Sequence, residues 1–306
     1  MLHFCIGKFE GNLLQMPTAK QTIESSPQYL TLTSFTNFQS TELTALSSLT
    51  SSITPTTPPY TISTYLETLW NSFLLLVCQT EWSSLTHTKL AIFVQRLQNH
   101  SSSSSPFDEQ NDNTPLPKYN DTEFTWSQLP DLNIYIRDWY NFSPPFSQSS
   151  TPLPGLVFSK DEWINLNAFL ATLTRTSLSA EIPKSPTDYS LYAIWSLRCL
   201  EVSPETLHTL DPADIQTAAV WIVTAKTEIY KLCKEGKEYE GNLARGGEGF
   251  SEKGWKGFSL ERWAVWEDAF KRLLELENEK EDVEIGVIRL VRQATVVMRM
   301  VGASNP

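Results

Sequence analysis

The chain has 306 residues, a formal net charge of −11 at pH 7 and a pI of about 4.9. This acidic balance argues against sequence-independent binding to nucleic acid or to anionic membrane surfaces, because both kinds of binding use clustered Lys and Arg against phosphate. Hydrophobic residues make up 41% of the chain and ten residues are Trp, enough to fill one sizeable core.

Residues 17–60 are dominated by Ser, Thr and Pro and end in the run ITPTTPPY. Residues 17–60 show only weak hydrophobic periodicity, so their burial would not offset the entropy lost on ordering. The sequence therefore predicts a disordered N-terminal arm over residues 1–60. The first fifteen residues differ in composition from the rest of the arm, which leaves both Met1 and Met16 open as the start of translation.

Helical patterning begins after residue 60. Apolar residues recur three and four positions apart over residues 62–81 and again over residues 87–98, which predicts an antiparallel helix pair. Residues 99–118 are then of low complexity and predict a flexible linker. We expect a single helical domain over residues 61–302 that this linker interrupts.

The next elements are marked by their ends. Apolar residues on both sides of Pro130 predict a short helix with loops, and the capping box Ser159–Glu162 predicts the start of a long helix. A capping side chain before proline, at Ser185-Pro186 and Asp211-Pro212, predicts two further helix starts. Gly236 is expected to end the second of these helices.

The C-terminal part contains a glycine-rich turn and two more helices. In residues 241–270 the glycines lead into a helix with Trp263, Trp266 and Phe270 on one stripe, while Arg262 falls on another face. A last amphipathic helix is expected to stop at Gly302. Since no strand hairpin signal of similar strength is present, we predict an all-α fold, an irregular multi-helix bundle.

The four cysteines, Cys5, Cys78, Cys199 and Cys233, are widely scattered, which favours a reducing compartment. No signal peptide pattern is recognised at the N-terminus, so we expect a cytoplasmic or nuclear protein. No His or Cys residues have the spacing of metal ligands, and no nucleotide or hydrolase motif is present. The sequence therefore predicts no metal, no cofactor and no catalytic residues.

The segments DEWINLNAFLATLT, SLYAIWSLRCLE, TAAVWIVTAKTEIY and GWKGFSLERWAVWEDAF occur in this order between residues 161 and 270. With them, residues 64–302 resemble a fungal family of uncharacterised proteins, Domain of Unknown Function 3632. The resemblance implies a helical intracellular fold and carries no catalytic residues.

Two hypotheses for function remain open. The first is a helical interaction or scaffold protein without catalytic activity, with an unidentified protein partner. The second is an enzyme or small-ligand-binding protein with a pocket between helices. The candidate pocket residues are Trp163, Asn167, Trp195, Arg245, Trp255 and Arg262.

Two of these candidates carry alternatives of their own. Asn167 lies on the apolar stripe of its predicted helix, so its amide either bonds main-chain groups or faces a pocket together with Asn165 and Trp163. The glycines at 246–249, directly after Arg245, form either a plain flexible connection or a turn whose amides bind an anion. Packing and a plain connection are the favoured interpretations.

Overall fold

Eleven α-helices and one short β-hairpin make up most of the regular structure in the described part of the chain. The structure, a computed structural model, describes residues 16–100, 116–141, 159–179, 185–277 and 285–304. The elements are α1 (Met16–Glu24), α2 (Pro27–Thr36), α3 (Glu42–Thr50), α4 (Pro59–Gln79), α5 (Leu85–Gln98), β1 (Lys118–Tyr119), β2 (Thr122–Glu123), α6 (Leu132–Asn141), α7 (Lys160–Ser179), α8 (Ser190–Leu197), α9 (Pro212–Glu235), α10 (Leu260–Glu277) and α11 (Ile285–Ser304). The predicted all-α fold is confirmed.

Helices α7 and α9 form the centre of the bundle. Helix α7 packs against α4, α5, α8 and α9, and helix α9 packs in addition against α10 and α11. Most side chains from Trp163 to Thr174 on α7 are buried, on several faces of the helix. A helix that is buried on nearly all faces is enclosed by neighbours, which agrees with its central position.

The end signals of α7 and α9 behave as the sequence predicts. The Ser159 amide donates to the Glu162 carboxylate at 2.9 Å, and the Glu162 amide donates to Ser159 Oγ at 3.1 Å, which completes the capping box. Asp211 caps α9 with Pro212 in its first turn. Gly236 ends α9 with a left-handed φ of 64°, a conformation that glycine adopts without steric cost.

The predicted disordered arm is wrong for residues 16–60, which form α1, α2, α3 and the start of α4. Ser26 and Thr41 cap α2 and α3 through their side chains. Leu32, Phe35 and Leu49 are buried, and α2 packs against α4. The hydroxyl residues that suggested disorder serve here as helix caps, and the few apolar residues gain their stability from tertiary contacts. Residues 1–15 lie outside the described residues.

Two further expectations are wrong, namely the helix start at Ser185-Pro186 and the helix end at Gly302. A third, the linker over residues 99–118, falls mostly outside the described residues. Ser185-Pro186 forms a turn, and α8 begins only at Ser190, whose amide donates to Asp188 Oδ1 at 3.0 Å. Helix α11 continues through Gly302 to Ser304. Most of the predicted linker, residues 101–115, is not described, whereas Asn99 caps α5 and Lys118 begins β1.

Candidate functional site

A cleft of about 1280 Å³ opens between the end of α6, α7, α8, the first turns of α9 and the loop that joins α9 to α10. Aromatic and charged side chains share its lining. The lining includes Tyr140, Trp163, Trp195, Arg198, Asp214, Arg245 and Trp255. Since ligand pockets typically hold about 300–1000 Å³, this cleft is large enough for a ligand of several functional groups.

One wall of the cleft is a cluster of aromatic rings. The Tyr140 ring lies 4.7 Å from that of Trp163 and 4.5 Å from that of Tyr192, centroid to centroid. Trp195 lies 4.9 Å from Tyr192, and its indole N–H donates to the Leu243 carbonyl at 2.8 Å. This bond joins α8 to the loop between α9 and α10, so the wall is tied to the opposite side of the cleft.

A buried ion pair lies beneath that loop. Both Glu201 and Arg262 are fully buried, and the guanidinium donates two bonds to the carboxylate, from Nε to Oε1 at 2.5 Å and from Nη2 to Oε2 at 3.0 Å. The remaining three donors reach the carbonyls of Ala244, Gly257 and Arg245. All five N–H donors of Arg262 are therefore used.

Both oxygens of the Glu201 carboxylate accept hydrogen bonds in addition to those from Arg262. Oε1 also accepts the Trp266 indole N–H at 2.8 Å, and Oε2 accepts the Gly247 amide at 2.7 Å. The Gly249 amide donates to the Glu201 backbone carbonyl at 2.9 Å. A Cβ at Gly247 would lie 2.6 Å from that same carbonyl oxygen, so only glycine allows this approach.

These bonds argue against both interpretations of the glycine turn. An anion-binding nest needs free amides, and the amides of Gly247 and Gly249 already donate to Glu201. The alternative of a plain flexible connection is equally inaccurate, because the loop is fixed by close packing against residues 198–203. The turn is a structural element that positions Arg245 at the cleft.

Three cationic side chains, Arg198, Arg245 and Lys256, line the cleft without a partner among the described residues. The guanidinium groups of Arg198 and Arg245 make no hydrogen bond or ion pair with any residue that the structure describes. Burial lowers the pKa of Arg198, and the positive charges of Arg245 and Arg262 lower it further against the opposing effect of Glu201. An arginine keeps its charge at neutral pH regardless, so an anion between these groups would relieve their repulsion.

Asp214 carries the opposite charge into the same cleft. Its carboxylate makes no hydrogen bond or ion pair within the described ranges. Burial raises the pKa of Asp214 to about 6, and the neighbouring Asp211 carboxylate adds to the rise. The Cys199 thiol donates to the Asp214 backbone carbonyl at 3.7 Å, which holds the turn after α8 against the start of α9.

The structure places the six predicted residues in two groups. Trp163, Trp195, Arg245 and Trp255 line the cleft together, and Trp255 stacks on Phe250 at 5.4 Å between ring centroids. Arg262 and Asn167 lie behind the cleft and are fully buried. The assignment of Arg262 to an outer helix face is wrong, because its charge is paired inside the protein.

Asn167 is closed in by hydrogen bonds. Its Nδ2 donates to the Trp163 carbonyl at 3.0 Å, while Oδ1 accepts the Trp221 indole N–H at 2.9 Å and the Ser196 hydroxyl at 3.2 Å. Asn165 donates to the Cys78 carbonyl at 2.7 Å on another side of α7. A pocket formed by both asparagines is therefore not present, and Asn167 contacts the cleft lining through its bonds to Trp163 and Ser196.

Tyr140, Arg198 and Asp214 line the cleft, but the sequence does not predict them as site residues. Arg198 interrupts the apolar run SLYAIWSLRCLE, and a charged residue within an apolar run is a sequence signal that could have marked it as a candidate site residue. Asp214 resembles an ordinary acidic residue in a first helical turn, and Tyr140 belongs to a separate helix, so neither position is distinctive in one sequence.

Within the described ranges, no three His, Cys, Asp or Glu side chains are grouped as a metal site would require. Among the same residues, no helix has the length and apolar character needed to cross a bilayer. Cys78, Cys199 and Cys233 are free thiols.

Fold and cleft together define an α-helical protein with a large, solvent-open cleft, lined by aromatic side chains and by charged side chains that have no partner in the described part of the chain. The chain belongs to the family described as "Protein of unknown function (DUF3632)", which matches residues 70–270. No curated protein and no solved structure matches the chain. The family match agrees with the resemblance identified in the sequence.

Proposed function

We propose that the protein binds a small organic anion with an apolar or aromatic part in the cleft. The observation that carries this proposal is the pair of guanidinium groups, Arg198 and Arg245, that line the cleft without a partner among the described residues. The negative group of the ligand lies against these arginines, and its apolar part lies against the rings of Tyr140, Trp163 and Trp195.

The contrast with Arg262 supports this assignment. The loop that positions Arg245 supplies three carbonyl acceptors to Arg262, and Glu201 supplies the other two, so the fold supplies acceptors where an arginine is structural. Arg198 is half-buried and stays unpaired, although desolvating a charge without compensation is unfavourable. A carboxylate or phosphate ligand provides the missing acceptors in a planar, bidentate geometry.

Binding rather than catalysis is what these contacts support best. Cys199 lines the cleft, but burial raises the pKa of its thiol well above the usual value, and the Asp214 and Glu201 carboxylates raise it further. A protonated thiol is a weak nucleophile. The predicted interaction or scaffold role without catalytic activity stays an alternative, and ligand affinity measurements distinguish it from the proposed binding function.

The proposed compartment is the cytoplasm or nucleus. The free thiols of Cys78 and Cys233 are buried in the helical core, where they pack as small apolar groups. Such thiols are compatible with a reducing environment.

The test is isothermal titration of the purified protein with indole-3-propionate and with its uncharged amide. We expect the carboxylate to bind and the amide to bind at least about tenfold more weakly, since charge-assisted hydrogen bonds contribute about 1.5–3 kcal/mol. Arg198→Gln and Arg245→Gln should each remove most of that preference. Phenyl phosphate serves as a second anion with a different acceptor group.

Arg96→Gln is the matched control, because Arg96 is exposed on α5 and pairs with Glu42 away from the cleft. It should bind indole-3-propionate like the wild type. Equal affinity for the carboxylate and the amide, or no binding of either anion at millimolar concentration, would refute the proposal.

A further inference from the structure

Helix α11 exposes a face that carries positive charge and no negative charge. Its sequence, IGVIRLVRQATVVMRMVGAS, contains three arginines and no Asp, Glu or Lys. The side chains of Arg289, Arg292 and Arg299 are all exposed. None of them makes a hydrogen bond or an ion pair with a residue that the structure describes. Their donors are therefore available to acceptors from another molecule.

The three arginines lie along one side of the helix. Each residue of an α-helix advances by about 100° and about 1.5 Å, so positions 289, 292 and 299 fall within about 80° of one another and span about 15 Å. Ile285 and Val296 fall inside the same sector and are 84% and 50% exposed. We call these five residues the arginine stripe.

The opposite side of α11 is buried. It includes Leu290, Ala294 and Met298, and the helix packs against α9 and α10. The core therefore already uses the apolar face of α11, and the arginine stripe is a second face that the fold does not cover with any described residue.

Most of the other arginines of this protein are paired. The chain has ten arginines, and five of them donate to protein acceptors, namely Arg96, Arg137, Arg175, Arg262 and Arg272. Two more line the cleft, and the remaining three form the arginine stripe. Acidic residues outnumber basic ones by 35 to 24, so partners are in excess over the chain as a whole. A stripe of three arginines without a carboxylate is therefore a local feature of α11.

We propose that the arginine stripe is a docking surface for an acidic helix of a protein partner. Asp or Glu side chains of that helix pair with Arg289, Arg292 and Arg299, because a guanidinium accepts a carboxylate in a planar, two-bond geometry. Apolar side chains between the carboxylates contact Ile285 and Val296. This surface is separate from the cleft and does not depend on the ligand proposed for it.

Charge and dimensions favour an acidic helix over a larger polyanion. The stripe is one helix wide and about 15 Å long, which matches about three turns of a partner helix. Nucleic acid and anionic membranes would extend beyond the stripe and meet a protein of net charge −11, and charges separated by less than about 8 Å are poorly screened at physiological salt. The exposed Ile285 and Val296 also suit a protein partner, since phosphate groups gain nothing from apolar contact.

The test is a fluorescence anisotropy titration at pH 7.5 with a labelled peptide of three LAQEEAA repeats. In helical form this peptide places two glutamates beside each leucine on one face. The reference peptide has Gln in place of every Glu. We expect the acidic peptide to bind at least about tenfold more tightly than the reference, because three ion pairs act together.

Two triple variants locate the binding surface. Arg289→Gln, Arg292→Gln and Arg299→Gln combined should remove the preference for the acidic peptide. Three exposed and paired arginines elsewhere provide the matched control, and their combined replacement changes the net charge by the same amount: Arg96→Gln, Arg137→Gln and Arg272→Gln. This control should bind the acidic peptide like the wild type. Both triple variants should bind indole-3-propionate like the wild type.

Several results would overturn the proposal. Equal affinity for the two peptides, or an equal loss of binding in the two triple variants, removes the role of the stripe. Stripe-dependent binding of duplex DNA or of phosphatidylserine vesicles that is tighter than binding of the acidic peptide identifies a different partner. Tighter peptide binding after Glu281→Gln, Asp282→Asn and Glu284→Gln combined would show that the chain itself occupies the stripe.

Discussion

Replacing Arg262 by methionine should be among the most destabilising single changes in the described part of the protein. The substitution keeps an unbranched side chain of moderate length in the same space but removes the cation. Glu201 is then left fully buried with only the Trp266 indole and the Gly247 amide as donors. The carbonyls of Ala244 and Gly257 lose the donors that Arg262 supplied.

The magnitude follows from the burial of the pair. Both side chains are 0% exposed, so solvent screening does not moderate the loss. Breaking a buried ion pair by removing one partner costs about 3–5 kcal/mol, because the other charge remains uncompensated. For a domain of this size, that loss lowers the melting temperature by about 10 °C.

Thermal and urea unfolding of a four-member set measure this cost: wild type, Arg262→Met, Glu201→Gln and the double variant. Glutamine at 201 keeps an acceptor for Trp266 or Gly247 without the charge. The double variant should therefore be more stable than Arg262→Met alone. Arg262→Lys should fall between the wild type and Arg262→Met, because lysine restores the charge but cannot form the two parallel bonds.

A double variant less stable than Arg262→Met would refute the reasoning, since it would mean that the lost bonds and not the stranded charge determine the cost. Arg272→Met provides the surface control. Arg272 pairs with Asp268 at 2.6 Å on an exposed face of α10, and its removal should leave the urea midpoint unchanged.

Three further predictions concern α7, α10 and α9. Asn167→Leu should destabilise the protein by about 1–3 kcal/mol in urea unfolding, because it leaves the buried Trp221 indole N–H without its acceptor; unchanged stability would contradict the bonded role. Trp263→Ala should cost about 3–5 kcal/mol, as it empties a buried site beside Tyr230, whereas Arg272→Ala should melt like the wild type. Asp214 has a folded-state pKa of about 6, above its usual 3.8, so the wild type loses stability as the pH rises between these values. Asp214→Asn should therefore gain in melting temperature relative to the wild type from pH 4.5 to pH 7.5, and a constant difference across that range would rule out this titration.

The long helices could be predicted because their signals are local. The Ser159 capping box, the Asp211 cap and Gly236 each act within a few residues of the element that they begin or end. The N-terminal helices could not be predicted in this way. Phe35 lies on a helix with only a few buried residues, and that helix is stabilised by α4, which comes later in the chain.

The residues of the candidate site also divide into those that local sequence patterns predict and those that only tertiary contacts place. Trp163 and Trp195 could be named from helical stripes, and Arg245 from its position beside the glycines. Arg262 could not be placed, because the partner that allows its burial is Glu201, 61 residues earlier in the chain. Asp214 contributes to the cleft only through the packing of α8 against α9, a relation that no spacing in one sequence contains.

The close fit of Gly247 against Glu201 has a consequence for the speed of ligand capture. A Cβ at Gly247 would meet the Glu201 and Arg198 carbonyl oxygens at 2.6 and 2.8 Å, so the loop has no room to shift inward, while its amides hold it from moving outward. A cleft edge fixed in this way does not need to open or order itself before a ligand enters. Association should then follow simple second-order kinetics, with an observed rate that rises linearly with ligand concentration and shows no plateau from a slow conformational step.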